Sequence, residues 1–280
     1  MDRRQNLIEV FEDTELFYKQ NTQLANAVQA AKNATKLYEA DEYPKLPTPK
    51  ENNHSIEVTR SKTFEAAMRI HDDHPDWKIA ALNFASATNP GGGVRTGSRA
   101  QEESLCRCST LYPTLAQEWL WREYYTKNRE ENNNLHTDAC IYSPGVVICK
   151  TDTAFPERLN ERDWIIVDVI SCAAPNLRRR PGNRHNPEYG RSITLSQEAL
   201  YQLHVKRAKH ILHIAAANRV DALILGAFGC GAFANDPTVV ARAYKEAVME
   251  YRRHFSLIEF AVYCRAEETI NYNAFRKYLT

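Results

Sequence analysis

The sequence predicts a layered α/β fold. Apolar runs of strand length alternate with amphipathic runs of helix length, a pattern typical of a sheet covered by helices. Two of the strand-like runs, "ACIYSPGVVICK" and "DWIIVDVI", are apolar enough to be buried on both faces of a sheet. The chain contains no internal repeat, so the alternating units are expected to form one layered domain.

The first fifty residues do not share this alternation. Residues 14–40 carry apolar side chains at roughly helical spacing, which predicts mostly helix. The run "YPKLPTPKENN", from Tyr43 to Asn53, breaks that pattern with three prolines and is typical of a connector. We therefore expect a helical extension and connector over residues 1–50 and one compact domain over residues 51–280.

The predicted strands and helices follow one another along this domain. "SIEVT" predicts a strand before a helix through "TFEAAMRIHDD", and "WKIAALNFAS" a strand before a helix that opens near Gln101. A long helix is predicted from about Ser196 to Asn218. "DALILGAF" predicts a strand, and "PTVVARAYKEAVMEYRRHF" a helix with Asp236 as N-cap and Pro237 in its first turn. A strand at "LIEFAVYC" and a short helix end the chain.

Composition and charge exclude several classes of partner. The chain has 280 residues, 43% of them hydrophobic, and a formal net charge of +1. Such a charge gives no general attraction to nucleic acid or acidic membranes, so we expect neither as a partner. The N-terminal residues lack the apolar core of a secretory signal, and "WIIVDVI" is too short to span a bilayer. Seven cysteines without a CxxC pair favour reduced thiols in a cytoplasmic protein.

Two glycine-rich loops, Gly91 to Gly97 and Gly226 to Gly231, each lie between a predicted strand and a predicted helix. In α/β sheets, ligands bind beyond the carboxyl ends of the strands, where free N–H groups can hold an anion. Two such loops could hold two phosphates or both ends of one pyrophosphate. Neither matches the GxGxxG dinucleotide fingerprint or the P-loop, and either loop alone could be an ordinary tight turn.

Two adjacent glutamates, Glu102 and Glu103, follow the first loop. They have a structural interpretation, because Ser98 and Gln101 form an S-x-x-Q capping box and the helix dipole favours acidic residues in a first turn. Neighbours on a helix point about 100° apart, so we expect that the two carboxylates cannot both aim at one bond. A functional pair would divide its work, with one glutamate positioning a hydroxyl and the other transferring protons.

These residues resemble a known family. "GGG" followed by "QEE" looks like the signature of poly(ADP-ribose) glycohydrolases, and "GAFGCGAF" resembles the diphosphate-binding loop of the same family. The run "NFASATNPGGGVRTGSRAQEESLCRCSTLY" is most similar to the microbial-type members, and the resemblance covers roughly residues 56–264. It implies a macrodomain-like three-layer α/β/α fold with a central mixed sheet, preceded by a mostly helical N-terminal extension.

The resemblance also implies roles for individual residues. Glu103 matches the catalytic acid, and Glu102 matches the glutamate that hydrogen-bonds the hydroxyls of the distal ribose. Phe233 matches the aromatic residue that packs on that ribose and orients it. No cofactor is implied. Ligand binding is implied for both loops and for the residue before the glutamates, namely Asn89, Gly91, Gly92, Gly93, Gln101, Gly229, Cys230, Gly231, Ala232 and Phe233.

The implied activity is hydrolysis of ribose–ribose O-glycosidic bonds in poly(ADP-ribose), with release of ADP-ribose. The implied partners are poly(ADP-ribose) or ADP-ribosylated proteins. Two other functions stay open at this point: a reader that binds ADP-ribose without cleaving it, and a hydrolase of mono-ADP-ribose on proteins. The "QEE" run favours an enzyme over a reader, because binding alone needs only the glycine-rich loops.

Other reactive residue types have ordinary explanations. Cys230 with His204, His210 or His213 would suit a Cys–His hydrolase, although a small residue in a glycine turn explains the cysteine more simply. His210 and His213 have the spacing of metal ligands but no third ligand nearby, so we expect no metal site. The arginine-rich run from Pro175 to Arg191 predicts a polar loop that either contacts polymer phosphates or is simply solvated.

Overall fold

The computed structural model describes residues 3–51, 54–182 and 187–280. In these residues the chain forms a central sheet whose seven strands are β1 (Lys36–Tyr38), β2 (Ser55–Thr59), β3 (Ile79–Phe84), β4 (Cys140–Ile148), β5 (Ile165–Cys172), β6 (Ala222–Leu225) and β7 (Leu257–Ala261). Their order across the sheet is β1-β4-β5-β3-β6-β7-β2. Strand β4 pairs antiparallel with β1 and β5, whereas the pairs from β5 through to β2 are all parallel.

The strand order brings the two glycine-rich loops together. Residues 85–100, here called loop 1, follow β3, and residues 226–236, here called loop 2, follow β6. Because β3 and β6 are parallel neighbours, both loops leave the sheet at the same edge. This is the edge at which α/β sheets bind ligands.

The helices agree closely with the sequence pattern. Those predicted at "TFEAAMRIHDD", from Gln101, and from Ser196 to Asn218 are confirmed, and the side chain of Asp236 caps its helix by accepting from the N–H of Thr238 at 2.8 Å. A π-helical turn, Trp121–Tyr125, separates two of the short helices. The helices are α1 (Arg3–Gln20), α2 (Thr22–Ala34), α3 (Thr63–Asp73), α4 (Gln101–Cys108), α5 (Leu111–Leu115), α6 (Glu118–Leu120), α7 (Thr126–Glu131), α8 (Gln197–Ala217), α9 (Pro237–Tyr251) and α10 (Ile270–Leu279).

The helices cover both faces of the sheet, which gives three layers. On one face a hydrophobic core joins the sheet to α8, α9 and α10, and on the other face a second core joins it to α3, α4 and α5. Alternate residues of β3 serve the two cores, with Leu82 in the first and Ala81 in the second. The predicted α/β fold with a mixed sheet between helices is therefore confirmed.

Two details differ from the sequence prediction. Residues 36–38, in a region predicted as mostly helical, form the edge strand β1 opposite residues 140–142, because three residues are too few to show a strand periodicity. Strand β5 was predicted to be buried on both faces, but Ile166 is 66% exposed, so one face of the sheet is open to solvent there. Among the described residues, every helix is too short or too polar to cross a membrane.

Candidate active site

Loop 1 packs its glycines directly against α4 and its neighbours. Gly91 and Gly92 have φ angles of +65° and +57°, a region that side-chain-bearing residues rarely adopt. A Cβ atom on Gly91 would lie 2.7 Å from the ring of Tyr112. A Cβ atom on Gly92 would lie 2.6 Å from Oε1 of Glu103 and 3.0 Å from Oε2 of Glu102. Glycine is therefore needed here because protein groups occupy the space that a side chain would fill.

Gln101 links α4 to the end of β3, and the predicted capping box is wrong. The N-cap of α4 is Ala100, which makes no side-chain cap bond, and not Ser98. The Oε1 of Gln101 accepts from the N–H of Phe84 at 2.8 Å, and its Nε2 donates to the carbonyl of Leu82 at 2.7 Å. The amide bonds these two groups and not the helix end, because the backbone of β3 needs hydrogen-bond partners where the strand ends beside it.

Glu102 is a buried carboxylate that also contacts the end of β3. Its side chain accepts from the N–H of Ser86 at 2.8 Å and from Nδ2 of Asn83 at 3.3 Å, and the residue is 3% exposed. Burial, followed by the nearby charge of Glu103, raises the pKa of Glu102 well above its ordinary value of 4.5. Glu102 therefore binds its proton more tightly in the folded chain than in the unfolded one.

This raised pKa makes the stability dependent on pH. A raised carboxyl pKa stabilises the protonated fold, so its contribution is complete below 4.5 and is lost as the pH rises toward the folded-state pKa. We expect Glu102→Gln, which keeps an acceptor oxygen without a charge, to melt progressively higher than the wild type as the pH rises. Thermal unfolding of both proteins between about pH 5 and pH 8 measures this difference. A difference that stayed constant with pH would contradict it.

Glu103 retains one unpaired oxygen. Its Oε1 accepts from the N–H of Gly93 at 2.9 Å, while its Oε2 is buried and has no hydrogen-bond partner among the described residues. The carboxylates of Glu102 and Glu103 converge beneath Gly92, whereas the expectation that they cannot both aim at one bond stays a prediction. The torsions of the two long side chains offset the angle between neighbouring positions on the helix.

Loop 2 is fixed by a buried asparagine that the sequence did not single out. Gly229 has a φ of +77°, and the Nδ2 of Asn235 donates to its carbonyl at 3.0 Å, to that of Phe233 at 3.2 Å and to that of Pro175 at 2.7 Å. The Oδ1 of Asn235 pairs with Nε2 of His204 at 2.8 Å. Burial lowers the pKa of His204 to about 4, so the ring is neutral near pH 7 and donates this hydrogen bond.

Phe233, at the end of loop 2, is half-buried between two other side chains. The guanidinium carbon of Arg178 lies 5.5 Å from the ring centre, and the ring of His136 lies 6.3 Å away. Arg178 belongs to the arginine-rich run that was predicted to be a polar loop, so this part of it is beside the site. Another arginine of that run, Arg184, lies outside the described residues.

A cavity of about 710 Å³ lies beside loop 2 and the start of α4. It includes five of the predicted ligand-binding positions, Gln101, Gly229, Gly231, Ala232 and Phe233. The two glutamates and the glycines of loop 1 do not line it, because they pack against one another. Its wall carries more basic than acidic groups, which suits an anionic ligand: Arg3, Lys62, Arg99, Arg107 and Arg265 against Asp152.

The remaining predicted positions, Asn89 and Cys230, lie in the loops but do not line this cavity. Asn89 accepts a hydrogen bond from Arg129, whose Nε donates to the carbonyl of Thr88 at 2.8 Å. The guanidinium of Arg129 stacks on Trp121 at 4.8 Å, so the aromatic segment after α4 supports loop 1.

A Cys–His hydrolase site is not assembled. Burial raises the pKa of the Cys230 thiol, which keeps it protonated, and the thiol donates to the carbonyl of Phe228 at 3.7 Å. His210 and His213 instead bond the chain at the start of the connector, through the carbonyls of Glu42 at 3.0 Å and Pro44 at 2.6 Å. Within the described ranges, no group of three or more His, Cys, Asp or Glu side chains could hold a metal ion.

Comparisons with known proteins place this chain and its fold in a class of glycoside hydrolases. The family model described as the catalytic domain of microbial-type PARG, poly(ADP-ribose) glycohydrolase, matches residues 5–151. The chain belongs to this family and is an enzyme of that class. No curated protein matches it.

Solved structures of bacterial members agree with the whole fold. The poly(ADP-ribose) glycohydrolase of Thermomonospora curvata is 28% identical, with a TM-score of 0.81 over 98% of this chain and 99% of the other. The same enzyme bound to the inhibitor ADP-HPD is 30% identical, with a TM-score of 0.79 over the same shares. The Deinococcus radiodurans enzyme in complex with ADP-ribose is 34% identical, with a TM-score of 0.72 over 90% of this chain and 96% of the other.

Proposed function

We propose that the chain hydrolyses ribose–ribose O-glycosidic bonds in poly(ADP-ribose) and releases ADP-ribose, with Glu103 as general acid and base. The observation that carries this proposal is the unpaired Oε2 of Glu103, whose Oε1 is held by loop 1 at the edge of the sheet from which loop 2 also leaves. The related enzymes are described in complex with ADP-ribose and with ADP-HPD, which supports a ligand of this kind.

The ligand would lie between the two loops. Gly91 to Gly93 would lie against the distal ribose and the diphosphate, and backbone amides of loop 2 between Gly229 and Phe233 would hold the diphosphate, with Asn89 and Gln101 fixing loop 1. Phe233 would pack on the distal ribose. The cavity extends from loop 2 to Tyr263, a ring that is 60% exposed and is available for stacking on the adenine.

The chemistry needs one proton donor that becomes a proton acceptor. Breaking the bond between the anomeric carbon and the neighbouring ribose oxygen builds positive charge on the carbon, which the diphosphate held nearby stabilises. Glu103 gives its proton to the departing oxygen, and its carboxylate then takes a proton from the water that attacks the carbon. Since Oε2 is buried, groups around Glu103 must shift for the substrate oxygen to reach it.

Glu102 is proposed to hold the ribose and not to transfer the proton. It is held by Asn83 of β3 and by the N–H of Ser86 in loop 1, so its carboxyl group can accept hydrogen bonds from ribose hydroxyls in a constant direction. Its convergence with Glu103 beneath Gly92 supports a site in which both groups would reach one ribose.

The direct test is incubation of the purified protein with poly(ADP-ribose), with ADP-ribose release and ADP-ribose binding measured in parallel. Release of ADP-ribose supports a polymer glycohydrolase. Binding without release would overturn this proposal in favour of a reader, and release only from mono-ADP-ribosylated proteins would overturn it in favour of a mono-ADP-ribosyl hydrolase.

Gly231 allows a test of where the ligand lies. A Cβ atom added there would meet no protein atom within 4 Å, and the residue lines the cavity. We expect Gly231→Ala to leave the melting temperature unchanged but to weaken ADP-ribose binding by roughly tenfold or more, because the methyl group takes space that the ligand uses. Titration calorimetry measures the affinity. A stable variant that binds ADP-ribose as tightly as the wild type would contradict a ligand position beside loop 2.

The proposal also includes the domain bounds, the cellular location and the partners. We treat residues 1–50 as an extension to a macrodomain-like catalytic domain over residues 51–280, although β1 of the extension is an edge strand of the common sheet. A cytoplasmic location is supported by the cysteines, all of which are free. The partners proposed are poly(ADP-ribose) or ADP-ribosylated proteins.

A further inference from the structure

Helix α1 of the N-terminal extension contacts loop 1 at several points. Arg95, three residues after Gly92, donates to both carboxylate oxygens of Glu15 on α1, at 3.0 Å from Nη1 and 2.7 Å from Nη2. Its Nε donates to the hydroxyl of Tyr112 at 2.9 Å. A bidentate pair of this kind fixes the guanidinium in one orientation.

The same guanidinium also lies against two aromatic rings. Its carbon atom is 5.3 Å from the ring centre of Phe11 on α1 and 4.8 Å from that of Tyr112, and the two rings meet edge to face at 5.0 Å. Tyr112 in turn lies against Gly91. A continuous series of contacts therefore runs from α1 through Arg95 and Tyr112 to the glycines of loop 1.

A second contact is made at the far end of the loop. Gly97 has a φ of +72°, and a Cβ atom there would lie 2.6 Å from the backbone carbonyl oxygen of Arg4. The Nε of Arg4 donates to the carbonyl of Thr96 at 2.6 Å. The last glycine of loop 1 is thus needed because α1 passes directly against it.

We propose that Glu15 and Arg95 are positioning residues for the hydrolysis, because α1 holds loop 1 in the place where the N–H of Gly93 orients Glu103. This inference rests on the proposed function. Loop 1 supplies the hydrogen bond to Oε1 of Glu103, and so the position of the loop sets the direction of the free Oε2. The N-terminal extension then acts on the reaction without touching the substrate.

The chain offers a matched control on the same helix. Asp13 of α1 also pairs with an arginine, Arg158, whose Nε donates to Oδ2 at 3.1 Å and whose guanidinium lies 4.3 Å from the ring centre of Phe17. That arginine is in the segment after β4, outside loop 1. Asp13 also pairs with the buried Nζ of Lys150 at 2.7 Å, so Asp13→Asn removes a charge that faces two cations, whereas Glu15→Gln removes one that faces Arg95. Both are the same carboxylate-to-amide change on one helix, and of the two residues Glu15 is the one that contacts loop 1.

The first measurement is hydrogen exchange of the backbone amides. In loop 1, the amides of Gly93, Thr96, Gly97 and Ser98 donate hydrogen bonds that protect them. We expect Glu15→Gln to speed exchange over residues 92–98 by about fivefold or more, because loop 1 would open locally more often. Residues 226–236 should keep the wild-type exchange rate. Asp13→Asn should leave both loops at the wild-type rate. Equal exchange in the two variants would overturn the proposal, whatever activity the protein has.

The second measurement is kinetics. We expect Glu15→Gln and Arg95→Lys each to lower kcat by roughly tenfold, since a small displacement of an acid is costly, whereas Asp13→Asn keeps the wild-type kcat. The double variant should lose no more than either single one, because both changes break the same contact. Additive losses, or a wild-type kcat in Glu15→Gln, would overturn the positioning role. If the wild type had no activity, the proposed function would be wrong, but the exchange measurement would still test whether α1 holds loop 1.

Discussion

Glu103→Gln is expected to reduce the release of ADP-ribose from poly(ADP-ribose) by a factor on the order of 10²–10⁴. Glutamine keeps an oxygen that can accept from the N–H of Gly93, so loop 1 should retain its place. It carries no transferable proton, and the departing ribose oxygen then leaves without protonation. ADP-ribose binding should stay within a few-fold of the wild type, because binding uses the loops and not the acid.

The same change at Glu102 is the comparison that separates the two glutamates. If Glu102 only holds the ribose, Glu102→Gln should raise KM as well as lower kcat, whereas Glu103→Gln should act on kcat with little change in KM. The rates of polymer hydrolysis over a range of substrate concentrations give both constants. A small effect at Glu103 with a large loss of kcat at Glu102 would reverse the proposed roles.

Gly92→Ala is expected to abolish most of the activity and also to lower the stability. Its φ of +57° costs a residue with a side chain about 1–2 kcal/mol. The added Cβ atom would also lie 2.6 Å from Oε1 of Glu103 and 3.0 Å from Oε2 of Glu102, so both carboxylates and the loop must move. We therefore expect a loss of kcat of roughly 10²-fold, the scale of a misplaced catalytic group, together with weaker ADP-ribose binding.

Gly145 provides the control for the backbone effect. It lies in the irregular part of β4 with a φ of +71°, and a Cβ atom there would meet nothing within 4 Å. Gly145→Ala should lower the free energy of unfolding by a similar backbone amount and leave kcat unchanged. Denaturant unfolding and kinetics of the two variants measure both quantities. If Gly92→Ala lost no more activity than Gly145→Ala, contact between loop 1 and the glutamates would be unimportant for catalysis.

Features that depend on neighbouring residues were readable from the sequence. The apolar stripe of α9 with Asp236 and Pro237 at its start fixed that helix, because periodicity and end signals act within a few residues. The same reasoning located β3, α3 and the opening of α4 at Gln101. The family and the loops came from residues in short motifs, "GGG", "QEE" and "GAFGCGAF", whose spacing is also local.

Contacts between distant segments were decided only by the tertiary structure. Gln101 binds the end of β3 and does not cap its own helix, since the strand lies beside it only in the fold. Asn235 and His204 hold loop 2, and a lone polar residue near a glycine-rich run gives no sequence signal for that.

The sequence by itself determined the class of fold, the two loops and the pair of glutamates. The tertiary structure decided that the glutamates converge beneath Gly92, that the three residues of β1 join the sheet, and that Glu15 of the extension contacts Arg95 of loop 1. The physical reason is the distance along the chain over which each interaction acts. Helix periodicity, caps and turn glycines are set by interactions within a few residues, whereas these contacts depend on which surfaces the folded chain brings together.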